Sequence, residues 1–251
     1  MRIGIAGMSG RMGLLLLEES RAAGHEVIGG TVHRAAGPEG VPALPLPELA
    51  AASDVVIDFT HAATAAAHAG IMAASGKPWV LGTSGLSAED EAAVDQAARR
   101  VPLVYAANFG LGVNLLLAFA RQLGAALPPG QYDAEIVEMH HRQKVDAPSG
   151  TAIGLGRAVA EGRGVRLDAV MQSGRDGHTG PRPEGAIGFA ALRGGQVVGE
   201  HTLLFASASE HIALTHRALD RRAFATGAVR AAAWVQGRSP GRYGMQDVLG
   251  L

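Results

Sequence analysis

The chain has 251 residues, of which 47% are hydrophobic and 18% charged, so it is large and apolar enough to bury the core of one large or two modest domains. Its formal net charge of −1 argues against nucleic acid or an anionic membrane as the partner. The absence of cysteine excludes disulfides, thiol catalysis and thiolate metal sites. The apolar runs fall short of the roughly 20 residues that span a bilayer. The first residues resemble a strand rather than a signal peptide, and we expect a cytoplasmic protein.

Strand and helix signals alternate through the first hundred residues. The predicted strands are 2–6, 25–32, 54–59, 78–81 and 102–106. The predicted helices are 12–23, 62–74 and 88–99, and the proline-containing segment 37–47 is expected to be a surface connection. This alternation is typical of βαβ units, and it predicts an α/β fold with an N-terminal Rossmann-type parallel sheet.

The pattern changes at about residue 111. A predicted helix at 111–126 is followed by a strand that leads into His140, a helix after Ser149, and then mostly strands. Runs 186–192 and 196–205, joined by two glycines, are predicted to pair as a hairpin, and a strand at 211–215 precedes a helix at 223–235. Strands that follow strands predict a second, α+β domain with a mostly antiparallel sheet, after which the last helix and tail return to the first domain.

A glycine-rich loop lies between the first predicted strand and the first helix. Its residues are Gly7, Met8, Ser9, Gly10, Arg11 and Met12, and Gly13 completes a G-x-x-G-x-x-G spacing. Glycines at such a junction allow a tight turn and the approach of a pyrophosphate to the amides of a helix start. The alternative is a plain strand-to-helix turn, but the position at the first βα junction favours a nucleotide.

The end of the second predicted strand bears on the choice of nucleotide. NAD sites usually have an acidic residue there that holds the ribose hydroxyls, whereas this chain has His33 and Arg34. This pair can bind a 2′-phosphate, which favours NADPH, with NADH as a second possible cofactor. The alternative is that Arg34 stacks on adenine or faces solvent.

Two further strand ends belong to the same predicted edge. They are Gly82, Thr83 and Ser84 after the fourth strand, and Ala106, Ala107, Asn108 and Phe109 after the fifth. Ligands of open α/β sheets bind beyond the carboxyl ends of the strands. Small residues there leave room for a flat nicotinamide, and Asn108 can bond its carboxamide.

Residues 138–151 combine proton-carrying side chains with a helix start. The segment contains His140, His141, Arg142, Lys144 and Asp146, and it runs directly into Pro148, Ser149, Gly150 and Thr151. Burying so many charges without anionic partners is costly, which favours proton transfer beside an anion site at the helix start over a purely structural role. The alternatives are simple helix capping and a metal site that also draws on His201 and His211. Adjacent histidines on a strand point to opposite faces, so we predict no metal.

A second glycine-rich stretch, residues 173–180, is predicted to be a loop. It is either a lid that brings Arg175 or His178 to a ligand or a solvated connection.

The glycine loop, the two strand ends and the segment 138–151 together resemble the 4-hydroxy-tetrahydrodipicolinate reductase (dihydrodipicolinate reductase) family of lysine and diaminopimelate biosynthesis. The resemblance covers essentially the whole chain, with further support from the segments 58–60, 177–180, 199–202 and 243–249. It implies a dinucleotide-binding domain at 1–110, completed by 217–251, and a substrate-binding and oligomerisation domain at 111–216 that forms a homotetramer.

The resemblance also implies roles for single residues. His140 would be the catalytic acid/base, Lys144 the proton donor, and His141, Gly150 and Thr151 the ligands of a dicarboxylate substrate. The glycine loop and both strand ends would bind NADPH or NADH. The chain departs from many relatives at His33, where an acid favours NADH, and at Gln143, which is often histidine.

Two other functions remain open from the residues alone. One is a different two-domain NAD(P) oxidoreductase, although the lack of cysteine removes the thiol-dependent semialdehyde type. The other is a redox sensor that binds NADPH without turnover, which would not need Lys144 beside a histidine and an anion-binding helix start.

Overall fold

The computed structural model describes residues 1–33 and 36–251. The chain divides into two compact units: Met1–Leu111 together with Arg221–Leu251, and Gly112–Asp220. In chain order the described strands are β1 (Arg2–Ala6), β2 (Glu26–Gly30), β3 (Val55–Asp58), β4 (Trp79–Leu81), β5 (Pro102–Tyr105), β6 (Asp133–His140), β7 (Met171–Ser173), β8 (Ile187–Arg193), β9 (Gly199–Ala206), β10 (His211–Ala218) and β11 (Gly241–Tyr243). The described α-helices are α1 (Arg11–Ala22), α2 (Leu46–Ala52), α3 (Ala65–Ser75), α4 (Ala88–Ala98), α5 (Leu111–Ala126), α6 (Gly150–Gly162), α7 (Leu167–Val170), α8 (Arg222–Trp234) and α9 (Met245–Leu249), and a 3₁₀ turn covers Ala62–Thr64.

The first unit is built on a parallel sheet with the strand order β11-β5-β4-β3-β1-β2. Successive residues of β3 point to opposite faces, as the pleat of a strand requires. Val55 and Ile57 join the core that includes α1 and α8, whereas Val56 joins the core that includes α2, α3 and α4. Both faces are therefore covered, which confirms the Rossmann-type α/β fold predicted for this part of the chain.

Helix α2 and strand β11 are among the elements of the first unit that were not predicted. Helix α2 begins at Leu46, within a segment whose prolines suggested a surface connection. Proline is tolerated in the first turn of a helix, because the amide that it lacks would have no partner inside the helix there, and Pro47 occupies that turn. Strand β11 has three residues and pairs with β5, so the C-terminal segment adds an edge to the first sheet.

The second unit has a mixed sheet with the strand order β10-β9-β6-β8-β7. Strand β9 is antiparallel to both β10 and β6, while β8 is parallel to both β6 and β7. Helices α5 and α6 contribute Leu116 and Leu155 to a core that also contains Ile136 and Phe205 from the sheet. The predicted α+β unit is present, with a sheet that is mixed.

The predicted hairpin of runs 186–192 and 196–205 is wrong. Strands β8 and β9 do not pair with each other, because β6 lies between them. Their connection passes over the end of β6 and bonds to it, with Gly194 N–H donating to the His140 carbonyl and His141 N–H donating to the Val197 carbonyl. The glycines thus allow a reversal of direction across an inserted strand.

Within the part of the chain that the structure describes, no helix combines the length and apolar character needed to cross a membrane.

Candidate active site

The glycine loop of the first unit is a tight turn held by its own backbone. Gly7 has a φ of 81°, a left-handed conformation that favours glycine, and its N–H donates to Thr31 Oγ1 at 2.9 Å. A Cβ on Gly13 would lie 2.3 Å from the Gly7 carbonyl oxygen, so this position accepts only glycine without movement of the loop. Met8 is buried beneath the turn, whereas Gly10 and Arg11 are exposed and Ser9 and Met12 are partly exposed.

The start of α1 is suited to a phosphate. Helix α1 has 12 residues, Gly10 is its N-cap, and within the described residues no side chain caps it and no acid stands in its first turn. Its first amides are therefore left for an anion, and the helix dipole favours negative charge there. These residues fit the pyrophosphate of a dinucleotide.

The structure brings the ends of β3, β4 and β5 together. A Cβ on Gly82 would lie 2.2 Å from the Phe59 ring, and the rings of Phe59 and Phe109 are 5.4 Å apart. Thr83 Oγ1 donates to the Thr60 carbonyl at 3.3 Å. The predicted residues after β4 and β5 thus share one edge with the loop after β3, and Gly7 meets that same loop at Thr60. Ser84 and Ala107 are exposed at this edge, and Ala106 and Asn108 are partly exposed.

The loop after β3 is fixed by a buried acid. Asp58 has no exposed surface, and its Oδ1 accepts from the amide of Thr60 at 3.1 Å and from its hydroxyl at 2.6 Å. Its Oδ2 lies 2.7 Å from His68 Nδ1. This arrangement orients Thr60 toward the Gly7 turn.

The residues expected to choose the cofactor are only partly described. His33 is exposed and follows β2, whereas Arg34 lies outside the described residues.

In the second unit, His140 ends β6 and is held by an acid on the same face of the strand. Its Nδ1 is 2.6 Å from Glu138 Oε2, and both side chains are almost fully buried. Burial lowers the pKa of His140 below its usual value, and the neighbouring Glu138 carboxylate only partly opposes this effect. The His140 ring is therefore neutral at pH 7.

A second buried histidine lies beside the first. The ring of His201 meets the His140 ring edge-on at 5.1 Å between centroids, and its Nε2 is 2.9 Å from Ser149 Oγ. Burial, together with the neighbouring His140, lowers the pKa of His201 to about 4. His201 is consequently a neutral hydrogen-bonding group.

Lys144 and the start of α6 lie on the segment that follows β6. Lys144 Nζ donates to both carboxylate oxygens of Asp146, at 2.8 and 3.0 Å, and its side chain is 21% exposed. Ser149 is the N-cap of α6 and accepts from the Ala152 amide. Gly150, which is exposed, and Thr151, which is partly exposed, lie in the first turn of this helix. An accessible ammonium group and a helix start suited to an anion thus belong to one short segment.

His141 follows the end of β6 and is partly exposed. Its Nδ1 is buried, and among the described residues no hydrogen bond to it is formed.

The remaining predicted elements lie elsewhere. Arg175 bonds to Glu135 and Gln172, so in this structure it stabilises the surface of the sheet. His178 is exposed, and His211 is exposed at the start of β10. Among the described residues no group of three or more histidine and acidic side chains has the arrangement of a metal site.

A parallel sheet with a glycine-rich loop suited to a phosphate, and a second unit with a buried histidine, an accessible lysine and a helix start suited to an anion, indicate a two-domain nicotinamide-dependent oxidoreductase. Family comparison supports this class: residues 1–109 match the model for "Dihydrodipicolinate reductase, N-terminus" and residues 112–249 match "Dihydrodipicolinate reductase, C-terminus". The chain belongs to the dihydrodipicolinate reductase family.

Individual relatives agree over the full length. The 4-hydroxy-tetrahydrodipicolinate reductases of Granulibacter bethesdensis and Acidiphilium cryptum are 65% and 61% identical, with 100% of this chain and 97% and 98% of those proteins covered. Among solved structures, the dipicolinate-bound dihydrodipicolinate reductase of Paenisporosarcina sp. TG-14 has a TM-score of 0.79 at 27% identity, with 98% of each chain covered.

Sequence reasoning missed three contributors to the site. Glu138 was detectable, because residues i and i+2 of a strand share a face and Glu138 stands two positions before His140. Arg193 was missed because the predicted hairpin paired β8 with β9. In the structure β8 pairs with β6 in parallel, and this register places Arg193 opposite His140. The residues themselves suggested only a metal role for His201, which also lies in the segment 199–202 that supports the resemblance. Its contact with Ser149 depends on the register of β6 and β9.

Proposed function

We propose that this chain reduces 4-hydroxy-tetrahydrodipicolinate to tetrahydrodipicolinate with a nicotinamide cofactor, as a step of lysine and diaminopimelate biosynthesis. The observation that carries the proposal is the segment 138–151, where a buried histidine, an accessible lysine and an anion-binding helix start stand together in a chain of this family. The cytoplasm is the expected location.

The cofactor-binding residues of the proposal belong to the first unit. The amides at the start of α1 bind the pyrophosphate, and the ends of β4 and β5 flank the nicotinamide. When bound, the reduced nicotinamide supplies the hydride. The exposed His33, in place of an acid, favours NADPH over NADH, because a carboxylate that would repel a 2′-phosphate is missing at this position.

The substrate-binding and proton-transferring residues belong to the second unit. The amides of Gly150 and Thr151 and the side chain of His141 bind the carboxylates of a small dicarboxylate, a class of ligand represented by the dipicolinate bound to the Paenisporosarcina relative. Lys144 donates the proton that follows hydride transfer, and His140 acts as the acid/base residue beside it. Once Lys144 turns to the substrate, Asp146 is released from its ion pair.

We further propose a homotetramer that forms through the outer face of the second sheet. On that face Val137 is 39% exposed and Leu192 is 51% exposed, and Thr202 and Thr215 bond to each other between β9 and β10. A sheet face that exposes apolar side chains beside polar ones is typical of an interface between subunits.

The function is tested by following cofactor oxidation with the freshly prepared product of dihydrodipicolinate synthase. We expect oxidation only when that substrate is present, with a higher kcat/KM for NADPH than for NADH. Lys144→Ala should lower kcat by about 10²- to 10⁴-fold, the usual contribution of a positioned proton donor, with little change in cofactor affinity.

The matched control is Lys77→Ala, which removes a lysine from the connection before β4 and should leave kcat unchanged. Cofactor binding without turnover would favour the redox sensor instead. Full activity of the Lys144 variant would remove this residue from the donor role.

A further inference from the structure

Glu138 carries a buried carboxylate that the proposed proton transfer and substrate binding do not use. Its side chain is 1% exposed. Oε1 accepts from Arg193 Nη2 at 2.8 Å and from the Ser149 amide at 3.0 Å, and Oε2 lies 2.8 Å from Arg193 Nη1 and 2.6 Å from His140 Nδ1. Burial raises the pKa of Glu138, but hydrogen bonds from Arg193 and His140 outweigh this effect and hold it below its usual value. The carboxylate is therefore ionised.

The ionised carboxylate determines which nitrogen of His140 carries the proton. A carboxylate only accepts hydrogen bonds, so Nδ1 must be the donor in the 2.6 Å contact. Because the ring is neutral, Nε2 then carries a lone pair. His140 is accordingly an acceptor at its other nitrogen, and Lys144 is left as the group with a proton to donate.

Arg193 joins this carboxylate to the segment that carries Lys144. Besides its two bonds to Glu138, its Nη2 donates to the Asp146 carbonyl at 2.6 Å, and the side chain of Asp146 holds Lys144. The Ser149 amide, at the cap of α6, binds the same carboxylate. One ion pair thus contacts the histidine, the lysine segment and the helix start.

We propose that Glu138 and Arg193 are positioning residues: Glu138 fixes His140 as the tautomer with the proton on Nδ1, and Arg193 holds that carboxylate and the Lys144 segment in one geometry. The kinetic consequence rests on the proposed function, whereas the tautomer does not.

Glu138→Gln provides a direct test. Every partner of the Glu138 carboxylate is a donor in the proposed state, so the amide nitrogen of a glutamine would face a donor unless that partner changed. Arg193 and the Ser149 amide can only donate, whereas the His140 ring can change from donor to acceptor. We expect the variant to place its amide nitrogen against His140 and to move the ring proton to Nε2. The ¹⁵N chemical shifts of histidine-labelled protein distinguish the two tautomers, and His140→Asn identifies the signal among the 10 histidines.

Two results would overturn the tautomer: a wild-type His140 protonated on Nε2, or a Glu138→Gln spectrum in which Nδ1 keeps its proton. Neither depends on turnover. If the wild-type protein does not reduce the substrate, the proposed function is wrong. The ¹⁵N chemical shifts still determine the tautomer of His140 in that case.

Kinetics separates positioning from a merely structural ion pair. Glu138→Gln should lower kcat by about 10²-fold, the lower end of what a positioned acid or base contributes, with a smaller change in KM. In the double variant Glu138→Gln/Arg193→Gln the uncompensated arginine is gone, so we expect the Tm to recover while kcat stays low. The control Glu161→Gln, which removes an exposed partner of Arg121 in the same unit, should keep full activity. If kcat recovers together with Tm in the double variant, Glu138 and Arg193 have only a structural role and the positioning proposal is wrong.

Discussion

At the scale of single residues, the candidate site depends on polar side chains that burial has removed from water. Glu138, His140 and His201 are all less than a tenth exposed. Groups of this kind are stable in a fold only when each finds a partner, and a loss of one partner then costs much more than at the surface. The same burial lowers the pKa of both histidines and so favours their neutral forms.

We expect His201 to make the stability of the protein depend on pH. Its pKa is about 4 in the folded chain against 6.5 when unfolded, so as the pH falls the unfolded chain takes up the proton first. The stabilisation is complete above pH 6.5 and is lost as the pH falls toward 4, and this pKa difference corresponds to a free energy on the order of 3 kcal/mol. His201→Gln should show a shallower fall of Tm between pH 7 and pH 4.5 than the wild type.

His211→Gln is the control, because His211 is exposed on β10 and its replacement should leave the slope unchanged. Parallel Tm curves for the wild type and the His201 variant would contradict the expected contribution.

How far the sequence predicts the site depends on whether partners are near or far along the chain. The segment 138–151 was recognisable because its residue types are adjacent, and the shared face of Glu138 and His140 follows from the period of a strand. Arg193 and His201 join it through strand pairing at separations of 55 and 52 residues, from Glu138 and Ser149 respectively. At that separation several strands compete to pair with one another, and a local sequence pattern does not show which pair forms.

At the scale of elements, α5 and α6 approach each other through glycines. A Cβ on Gly124 would lie 2.6 Å from the Val159 carbonyl oxygen, and one on Gly162 would lie 2.2 Å from the Arg121 carbonyl oxygen. The two helices therefore pack backbone against backbone at this crossing.

Gly124→Ala should destabilise the second unit despite the higher helix propensity of alanine. Alanine gains about 1 kcal/mol over glycine in a helix interior, but the added methyl group requires the helices to move apart, at about 1–3 kcal/mol. The control is Gly154→Ala on α6, where the nearest atom is Leu117 Cδ2 at 3.4 Å, an ordinary contact. We expect a lower Tm for Gly124→Ala and an equal or higher Tm for Gly154→Ala, and equal values for the two would contradict the close crossing.

Elements with a long, uniform pattern were predictable, and short or context-dependent ones were not. Helix α1 and strand β1 follow directly from periodicity and the glycine junction. Helix α2 was missed because proline was taken as a breaker, and β11 has too few residues to produce a pattern. The hairpin prediction was wrong although the two glycines do lie in the connection between β8 and β9. Each of these strands pairs with β6 and not with the other.

At the scale of the whole molecule, the chain forms the first unit from both of its ends. Helix α8 contributes Ala228 and Val229 to the core that includes Ile3 and Ile5 of β1. Folding of this unit must therefore bring together residues more than 200 positions apart, and the second unit is an insertion between them. The insertion contains the sheet whose outer face is proposed to join subunits.

The proposed tetramer predicts that a charge on this face changes the assembly state. Ala213 is exposed on β10, the edge strand of the second sheet that pairs with β9. It lies opposite Leu204 in the antiparallel register of these two strands. Ala213→Asp would place a carboxylate in an interface where burying an unpaired charge costs several kcal/mol, so we expect sedimentation velocity to show smaller species at micromolar concentration. Ala51→Asp, at an exposed position of α2, should sediment like the wild type. A wild-type protein that sediments as a monomer, or an Ala213 variant that remains a tetramer, would show that this face does not join subunits.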